Sequence, residues 1–320
     1  MLRSSEIKLR CTMWFKQLQA WQLTQSINSS PQALIDKLQP LAFTPCAATL
    51  PTSCGFVSPI DEPEMPLVRA INGCLLFCLQ IEEKILPNSV INLAVKDKVQ
   101  LIEQNEHRKV RSKEKLAVKD EVTYTLLPRA FSKFTKIYAF IDTRHGFLFV
   151  NNTNQSRVET FLSMFKKACG EIVDMFAIER PATTLTRWLK DKNSPKTFNI
   201  EKSCVLQDPQ QQTRVIRCQQ QDLFAGSIHS LVKDGCEAIQ IALSWHDRIN
   251  FILTEACTLK SIRRSEDGIA EFNDYDDDKQ LKFDADFFMM TETFAPLWQD
   301  ILLFFSKTSV AVNELETASA

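Results

Sequence analysis

The chain has 320 residues, of which 44% are hydrophobic and 24% charged, and its formal net charge at pH 7 is −1. This composition is ordinary for a soluble globular protein, and no apolar run is long enough to span a membrane. The length suits either two domains or one elongated domain.

The near-zero net charge hides an asymmetry along the chain. The segment from Ser265 to Gln280 carries seven acids and one lysine, a local net charge of −6. The rest of the chain is therefore net +5, and overall neutrality does not exclude a basic working surface.

The ten cysteines are scattered without a C-x-x-C pair, and none of the four histidines lies near a cysteine pair. This pattern predicts reduced, mostly buried thiols in a cytoplasmic protein, with no metal site and no cofactor.

The first elements follow a weakly patterned start. Residues 1–12 show no periodicity, and we interpret them as a dispensable extension, with Met13 as an alternative start. Ser30 followed by Pro31 predicts the beginning of a short helix. Asn72-Gly73, inside an apolar stretch, predicts the turn of a β-hairpin.

Residues from about 88 to 127 form the most distinctive stretch, which we call the arm. Two apolar stripes with helical spacing open and close it, and both are predicted to lie on a core. Between His107 and Lys119 six basic residues face one acid, a local net charge of +5. As one continuous helix, residues 88–120 would extend about 50 Å at 1.5 Å per residue. The stripes are Val95, Val99 and Ile102, then Val118, Val122 and Leu126.

Two interpretations of the basic arm stay open on composition alone. Runs of charge on helices are usually solvated faces or mobile loops. Basic side chains spaced along one element also neutralise phosphates without contacting a base. On charge, the candidates for phosphate contact are Arg108, Lys109, Arg111, Lys113 and Lys115.

The elements after the arm predict an α+β fold of antiparallel sheets with packed helices. A turn at 143–146 predicts a second hairpin, and Ser156 with Glu159 predicts a capping box for a helix that ends at Gly170. Alternating apolar residues over 239–253 predict two half-buried strands. Residues 294–305 predict a closing amphipathic helix, and residues 307–320 a flexible tail.

An enzyme would need a constellation of reactive side chains, and the sequence offers little for one. It contains no P-loop pattern and no G-x-S-x-G, so that we predict no enzyme activity. The alternative is a metal-dependent nuclease that uses Asp284 and Asp286, which would point the same way on a strand. The competing explanation is that Phe283, Ala285 and Phe287 face a core while the two acids face solvent or pair with a base.

A set of short segments runs in order from Met13 to about residue 306, nearly the whole chain. They are Met13-Trp14-Phe15-Lys16, Ala42-Phe43-Thr44-Pro45-Cys46, Glu82-Glu83-Lys84-Ile85-Leu86-Pro87, Lys119-Asp120-Glu121-Val122, Leu126-Leu127-Pro128-Arg129-Ala130-Phe131-Ser132, Val215-Ile216-Arg217, Gln221-Asp222-Leu223 and Phe283-Asp284-Ala285-Asp286-Phe287. In this order the segments resemble the RdgC family of bacterial recombination-associated DNA-binding proteins.

The resemblance implies a protomer of a ring-shaped homodimer that encircles duplex DNA without reading its sequence. It implies a nucleoid-associated protein that limits RecA access and strand exchange in homologous recombination. Whether single-stranded DNA is also bound stays open. By matching the family's segments, Arg217, Gln220 and Gln221 would contact DNA, and Arg129 and Phe131 would lie in the dimer interface.

Two further alternatives stay open. The acidic loop at about 265–280 could dock a basic partner, which would make the chain a protein-interaction module. The aromatic residues between Phe131 and Tyr138 could stack on unpaired bases, although aromatic residues at strand spacing more often belong to a core.

Overall fold

The fold is given by a computed structural model that describes residues 13–62, 64–265 and 279–306. The described residues form seven α-helices and twelve β-strands, which confirms the predicted α+β class with antiparallel sheets. The helices are α1 (Pro31–Leu38), α2 (Asn88–Glu106), α3 (Ser112–Leu126), α4 (Gln155–Cys169), α5 (Pro181–Asp191), α6 (Gly226–Lys233) and α7 (Lys279–Phe305). The strands are β1 (Gln19–Leu23), β2 (Thr52–Val57), β3 (Val68–Ile71), β4 (Cys74–Ile85), β5 (Phe131–Asp142), β6 (Phe147–Val150), β7 (Val173–Asp174), β8 (Phe198–Gln207), β9 (Val215–Gln219), β10 (Glu237–Trp245), β11 (Ile249–Thr254) and β12 (Leu259–Arg264).

The chain divides into two compact units. Unit 1 comprises Met1–Pro31, Arg69–Leu76 and Ala139–Ala320, and unit 2 comprises Gln32–Val68 and Phe77–Tyr138. Two of the four boundaries fall inside the long strands β4 and β5, so that each of these strands contributes residues to both units.

Unit 1 contains a five-stranded sheet in the order β12-β11-β10-β8-β9. The alternation at Ile241, Leu243 and Trp245 buries these side chains on one face, as predicted. On that face α5 packs through Trp188, whose ring lies 6.0 Å from that of Phe198. The opposite face of this sheet is therefore the one that α5 leaves open.

A second group of strands in unit 1 pairs around β6. Strand β1 pairs antiparallel with β6 and with the short β7, and β6 pairs with the last residues of β5. Large side chains of α7, including Phe287, Phe294 and Trp298, are almost fully buried in this unit. They pack with the aromatic core of the strands, where Phe140 lies 5.7 Å from Phe287.

Unit 2 contains β2, the main part of β4, and the first residues of β5, in that order. Gly55 of β2 has no room for a side chain, because a Cβ atom there would lie 2.4 Å from the Cα of Phe43. The loop before β2 therefore lies directly on the strand, and Phe43 N–H donates to the carbonyl of Phe56 at 2.9 Å.

The turn predictions are confirmed, and one capping prediction is wrong. Asn72 and Gly73 both have positive φ, 47° and 74°, as a tight β3–β4 turn requires. Helix α4 ends before Gly170 as predicted, but its N-cap is Asn154 rather than Ser156. The Asn154 side chain accepts from the Arg157 N–H at 3.1 Å, and the helix begins one residue before the predicted cap.

Candidate nucleic-acid interface

The arm is an antiparallel pair of helices, which we call the helical hairpin (residues 88–126). Helix α2 ends at Glu106, the next residue, His107, has a φ of 52° where the chain reverses, and α3 begins at Ser112. The two helices share a small core of Val99, Val118 and Val122. Lys98 of α2 forms an ion pair with Glu121 near the end of α3, as an antiparallel pairing requires.

The expected continuous helix of about 50 Å is therefore wrong. Both apolar stripes are predicted to lie on a core, and in the structure this core is the small one that the two stripes form by packing on each other. Val110, the one apolar residue of the connection, is 6% exposed and lies in the same cluster. Its N–H donates to the Glu103 carboxylate at 3.0 Å, which fixes the connection against α2.

Positive charge is concentrated at the tip of the helical hairpin, which we define as residues 107–119. The tip has a net charge of +5, whereas the remaining hairpin residues carry two lysines and five acids. A polyanion would therefore be attracted to the tip and not to the base. The exposed cations of the tip are Arg108, Lys109, Arg111, Lys113, Lys115 and Lys119.

Arg108 differs from its neighbours because two carboxylates hold its guanidinium. Two of its nitrogens donate to Glu114 at 2.8 and 2.6 Å, and a third donates to Glu106 at 2.7 Å. This pairing lowers the pKa of Glu114. Within the described residues, Lys109, Lys113 and Lys115 have no carboxylate within 4 Å. Their ammonium groups are free for phosphate, whereas Arg108 has a structural role at the tip.

The second predicted DNA segment lies in unit 1, at the end of β9. Arg217 is exposed and pairs in register with Val205 of β8. Gln220 and Gln221 follow the strand and are also exposed, and Gln220 has a positive φ of 53°. The Gln221 N–H donates to the Lys202 carbonyl at 3.1 Å, so that the turn is fixed while its side chains stay accessible.

The predicted interface residues lie where α3 leads into β5. Arg129 is exposed, and Phe131 is 84% exposed, the highest value among the large apolar side chains of the described residues. Phe134 is 55% exposed, so the aromatic residues at the start of β5 are not core residues. An aromatic ring left in water at this level is typical of a contact surface.

The nuclease alternative placed Asp284 and Asp286 on a strand, and this placement is wrong. Both lie in the helix α7, where residues two apart point to different sides. Asp284 accepts two hydrogen bonds from Arg69, one of them 2.9 Å long from Nε, and Asp286 accepts from Arg264 at 3.0 Å. The Met13 N–H also donates to Asp286 at 3.2 Å.

Three segments with sequence-based predictions cannot be compared with the structure. The acidic residues Glu266 to Asp278, the extension 1–12 and the tail 307–320 lie outside the described residues. Within the described residues, no cluster of three or more His, Cys, Asp or Glu side chains could hold a metal ion. No helix among them is both long and apolar enough to cross a membrane.

Comparison with known proteins gives the same family over almost the whole chain. A family model described as "Putative exonuclease, RdgC" matches residues 13–308. The chain is 33% identical over 293 residues to "Recombination-associated protein RdgC" of Yersinia pestis (strain Pestoides F), covering 91% of this chain and 97% of the relative. The same protein of Yersinia enterocolitica serotype O:8 matches with the same identity and coverage. The chain belongs to the RdgC family.

Three RdgC-like segments meet at one side chain of unit 2, Glu82. Its carboxylate accepts from the Ser132 hydroxyl at 2.6 Å and from the Cys46 N–H at 2.7 Å, and Lys84 lies 4.0 Å away. The hydrogen bond from Ser132, followed by that from Cys46, holds the pKa of Glu82 below its usual value. Glu82 thus connects β5 to the loop before β2, through Ser132, the residue next to Phe131. No pattern in the sequence distinguished Glu82 as a residue with this role.

The Asp-x-Asp segment of the RdgC-like pattern has a comparable structural role in unit 1. Arg264, held by Asp286, lies over the Trp14 ring with 4.1 Å between its guanidinium carbon and the ring centroid. Through Arg264, the Asp-x-Asp segment of α7 is therefore joined to one other matched segment, Met13-Trp14-Phe15-Lys16. The two RdgC-like carboxylates thus hold arginines in place.

Proposed function

We propose that the chain binds double-stranded DNA without regard to sequence, as a ring-shaped homodimer, and modulates homologous recombination. The observation that carries the proposal is the tip of the helical hairpin, with at least three exposed ammonium groups that no carboxylate of the described residues neutralises. Such groups contact phosphates and release counterions whatever the base sequence. The relatives' name, recombination-associated protein, supports the same role.

The homodimer is supported by apolar surface in unit 2. Phe131 is one part of it, and the face of α2 that points away from α3 carries a second part. By helical spacing Val90, Leu93 and Leu101 lie on that face, and they are 45%, 62% and 57% exposed. Exposed aliphatic and aromatic side chains of this kind would be buried by a second copy of the chain.

A closed ring would add topology to electrostatic affinity, because bound DNA would leave only by an end or by opening of the ring. Occupied duplex would then be closed to RecA filaments and to strand exchange. A protein with this function would act in the cytoplasm, on the nucleoid. Preloading duplex DNA with the protein should reduce RecA-promoted strand exchange, and the reduction should disappear at salt concentrations that release the protein.

Binding rather than cleavage is proposed because the two carboxylates that the sequence nominates for a nuclease each hold an arginine. Incubation of linear duplex and single-stranded DNA with the protein and Mg²⁺ tests this choice. Intact DNA is expected, and cleavage that is lost in Asp284→Asn or Asp286→Asn would favour the nuclease.

The direct test of the proposal is a fluorescence anisotropy titration on two unrelated duplexes of equal length. We expect equal affinities, and a linear fall of log K with log salt concentration. A large preference for one sequence, or affinity that does not change with salt, would contradict sequence-neutral phosphate contact.

A further inference from the structure

A β-bulge in β12 places two cations on one face of the five-stranded sheet. Lys260 pairs with Ile252, and Arg263 pairs with Asn250. Three steps on β12 therefore correspond to two steps on β11, and Ser261, with a φ of 54°, is the point of irregularity. In a regular strand residues 260 and 263 would point to opposite faces. The bulge brings both onto the face of Ile252 and Asn250, while Ile262 is buried on the other face.

A third cation reaches the same edge from the N-terminal residues of unit 1. The chain before β1 runs beside β12, where the Ile262 N–H donates to the Lys16 carbonyl at 2.9 Å. Lys16 is exposed, and with Lys260 and Arg263 it lines a surface groove of about 470 Å³. We call these three residues the β12 cation cluster.

The β12 cation cluster is not neutralised by the described part of the protein. None of its three members has a carboxylate within 4 Å among the described residues. Arg264, the next residue along β12, is the contrast, because Asp286 and the Trp14 ring hold its guanidinium. Arg264 of β12 thus stabilises the fold, whereas Lys260 and Arg263 of the same strand face water.

The same face of the sheet reaches the β9 segment at its opposite edge. Arg217 pairs with Val205, and Val205 pairs with Gln240 of β10. On the other side Lys260 pairs with Ile252, which pairs with Ala242 of β10. Because residues 240 and 242 are two apart on one strand, Arg217 and Lys260 lie on one face. Five strands at about 4.8 Å spacing put the two edges about 19 Å apart.

We infer that the β12 cation cluster is a second phosphate-binding surface, which contacts the sugar–phosphate backbone of DNA on the open face of the five-stranded sheet. The inference rests on the proposed function. It adds Lys260 and Arg263, which lie outside the charge runs and the matched family segments, and it gives a role to Lys16, which lies in a matched segment. The bulge places Lys260 and Arg263 on one face of the sheet, and Lys16 from the N-terminal residues adds a third cation. Arg217 provides positive charge at the opposite edge of that face. A polyanion that follows the row from Arg217 to Lys260 would meet positive charge at both edges of the sheet, with Val205, Gln240, Ala242 and Ile252 between them.

The test is the salt dependence of duplex binding by a variant with Lys16→Gln, Lys260→Gln and Arg263→Gln. The slope of log K against log salt is expected to become shallower by about 0.9 for each lost contact, or about 2.7 for all three. The single variants Lys16→Gln and Arg263→Gln should each give about one third of this change, and they serve if the triple variant does not fold.

A charge-matched control removes three cations from the helical side of the same sheet. Arg187 and Lys190 lie on the exposed side of α5, and Lys233 is exposed on α6. Arg187→Gln with Lys190→Gln and Lys233→Gln should leave the slope unchanged. If the cluster variant and the control both keep a steep wild-type slope, the inference is wrong and the proposed function stands. If the wild-type protein itself shows no salt-dependent binding, the proposed function is wrong, and the inference that rests on it is wrong as well.

Discussion

Replacing Val110 by alanine tests whether the arm is a hairpin with its own core. Val110 is 6% exposed and packs with Val99, Val118 and Val122 at the end of the hairpin where the chain reverses. In a continuous helix with a polar middle, this side chain would face water. Its truncation would then have almost no effect on stability.

The expected magnitude follows from the two carbon atoms that the substitution removes. At about 0.8 kcal/mol per buried methylene-sized group, the lost transfer free energy is about 1.6 kcal/mol. The cavity left beside Val99 adds to this, so that a total loss of about 2 to 3 kcal/mol in the free energy of unfolding is expected.

The assay is urea unfolding followed by circular dichroism, with Leu116→Ala as the matched control. Leu116 belongs to the same hairpin but is 61% exposed, and its truncation should change the free energy of unfolding by less than about 0.5 kcal/mol. Hydrogen exchange should locate the loss in α2 and α3. Equal, small effects of the two substitutions would refute the packed hairpin.

Lys109, Glu82 and Phe131 each make or lack a contact that a single substitution can test. Lys109→Gln should make the slope of log K against log salt for duplex binding shallower by about 0.9. Arg108→Gln should change this slope much less, because two carboxylates already hold that guanidinium. Anisotropy titrations of the two variants side by side measure the difference, and equal slopes would contradict it. Glu82→Gln should lower thermal stability at neutral pH. Because the pKa of Glu82 is depressed in the folded protein, this difference in stability from wild type should vanish as the pH falls through the folded-state pKa. A difference that does not change with pH would contradict a role for the charged carboxylate as the acceptor from Ser132. Phe131→Ser should weaken the dimer and DNA binding together while the protomer stays folded; sedimentation velocity measures this, and an undiminished dimer would remove Phe131 from the interface.

Local signals in the sequence predict much of the fold because each element carries its own pattern. Asn72-Gly73 predicts a turn because these two residue types readily adopt the positive φ values that a tight turn requires. The alternation from Ile239 to Leu253 predicts strands because every second side chain of a strand lies on the same face, and one face is buried. Both predictions hold whatever surrounds them. Helix α4 shows the limit, since Asn154 and Ser156 are both good caps and the sequence does not choose between them.

The arm shows where local pattern fails. Two apolar stripes at helical spacing are compatible with one long helix on separate cores and with two helices on each other. The deciding residues are His107, which takes up a left-handed conformation, and Val110, which closes the small core. Neither is a glycine or a proline, so neither carries a strong turn signal.

The candidate sites divide in the same way. Charge runs are visible in the sequence, and the exposed cations of the hairpin tip were predicted from them. The distinction between Arg108 and Lys109 depends on where Glu106 and Glu114 lie in space. The β12 cation cluster has no sequence signal, because Lys16 is more than two hundred residues from Lys260, and only the bulge at Ser261 gives Arg263 the same face.

The central claim, that the hairpin tip contacts duplex DNA through its free cations, is tested most directly by one pair of salt titrations. The pair compares the wild-type protein with a variant in which Lys109, Arg111, Lys113 and Lys115 are all replaced by glutamine. Four lost contacts should make the slope of log K against log salt shallower by about 3.6, equally on every duplex sequence. A variant that is folded and dimeric but keeps the wild-type slope would contradict the claim and move the DNA away from the helical hairpin.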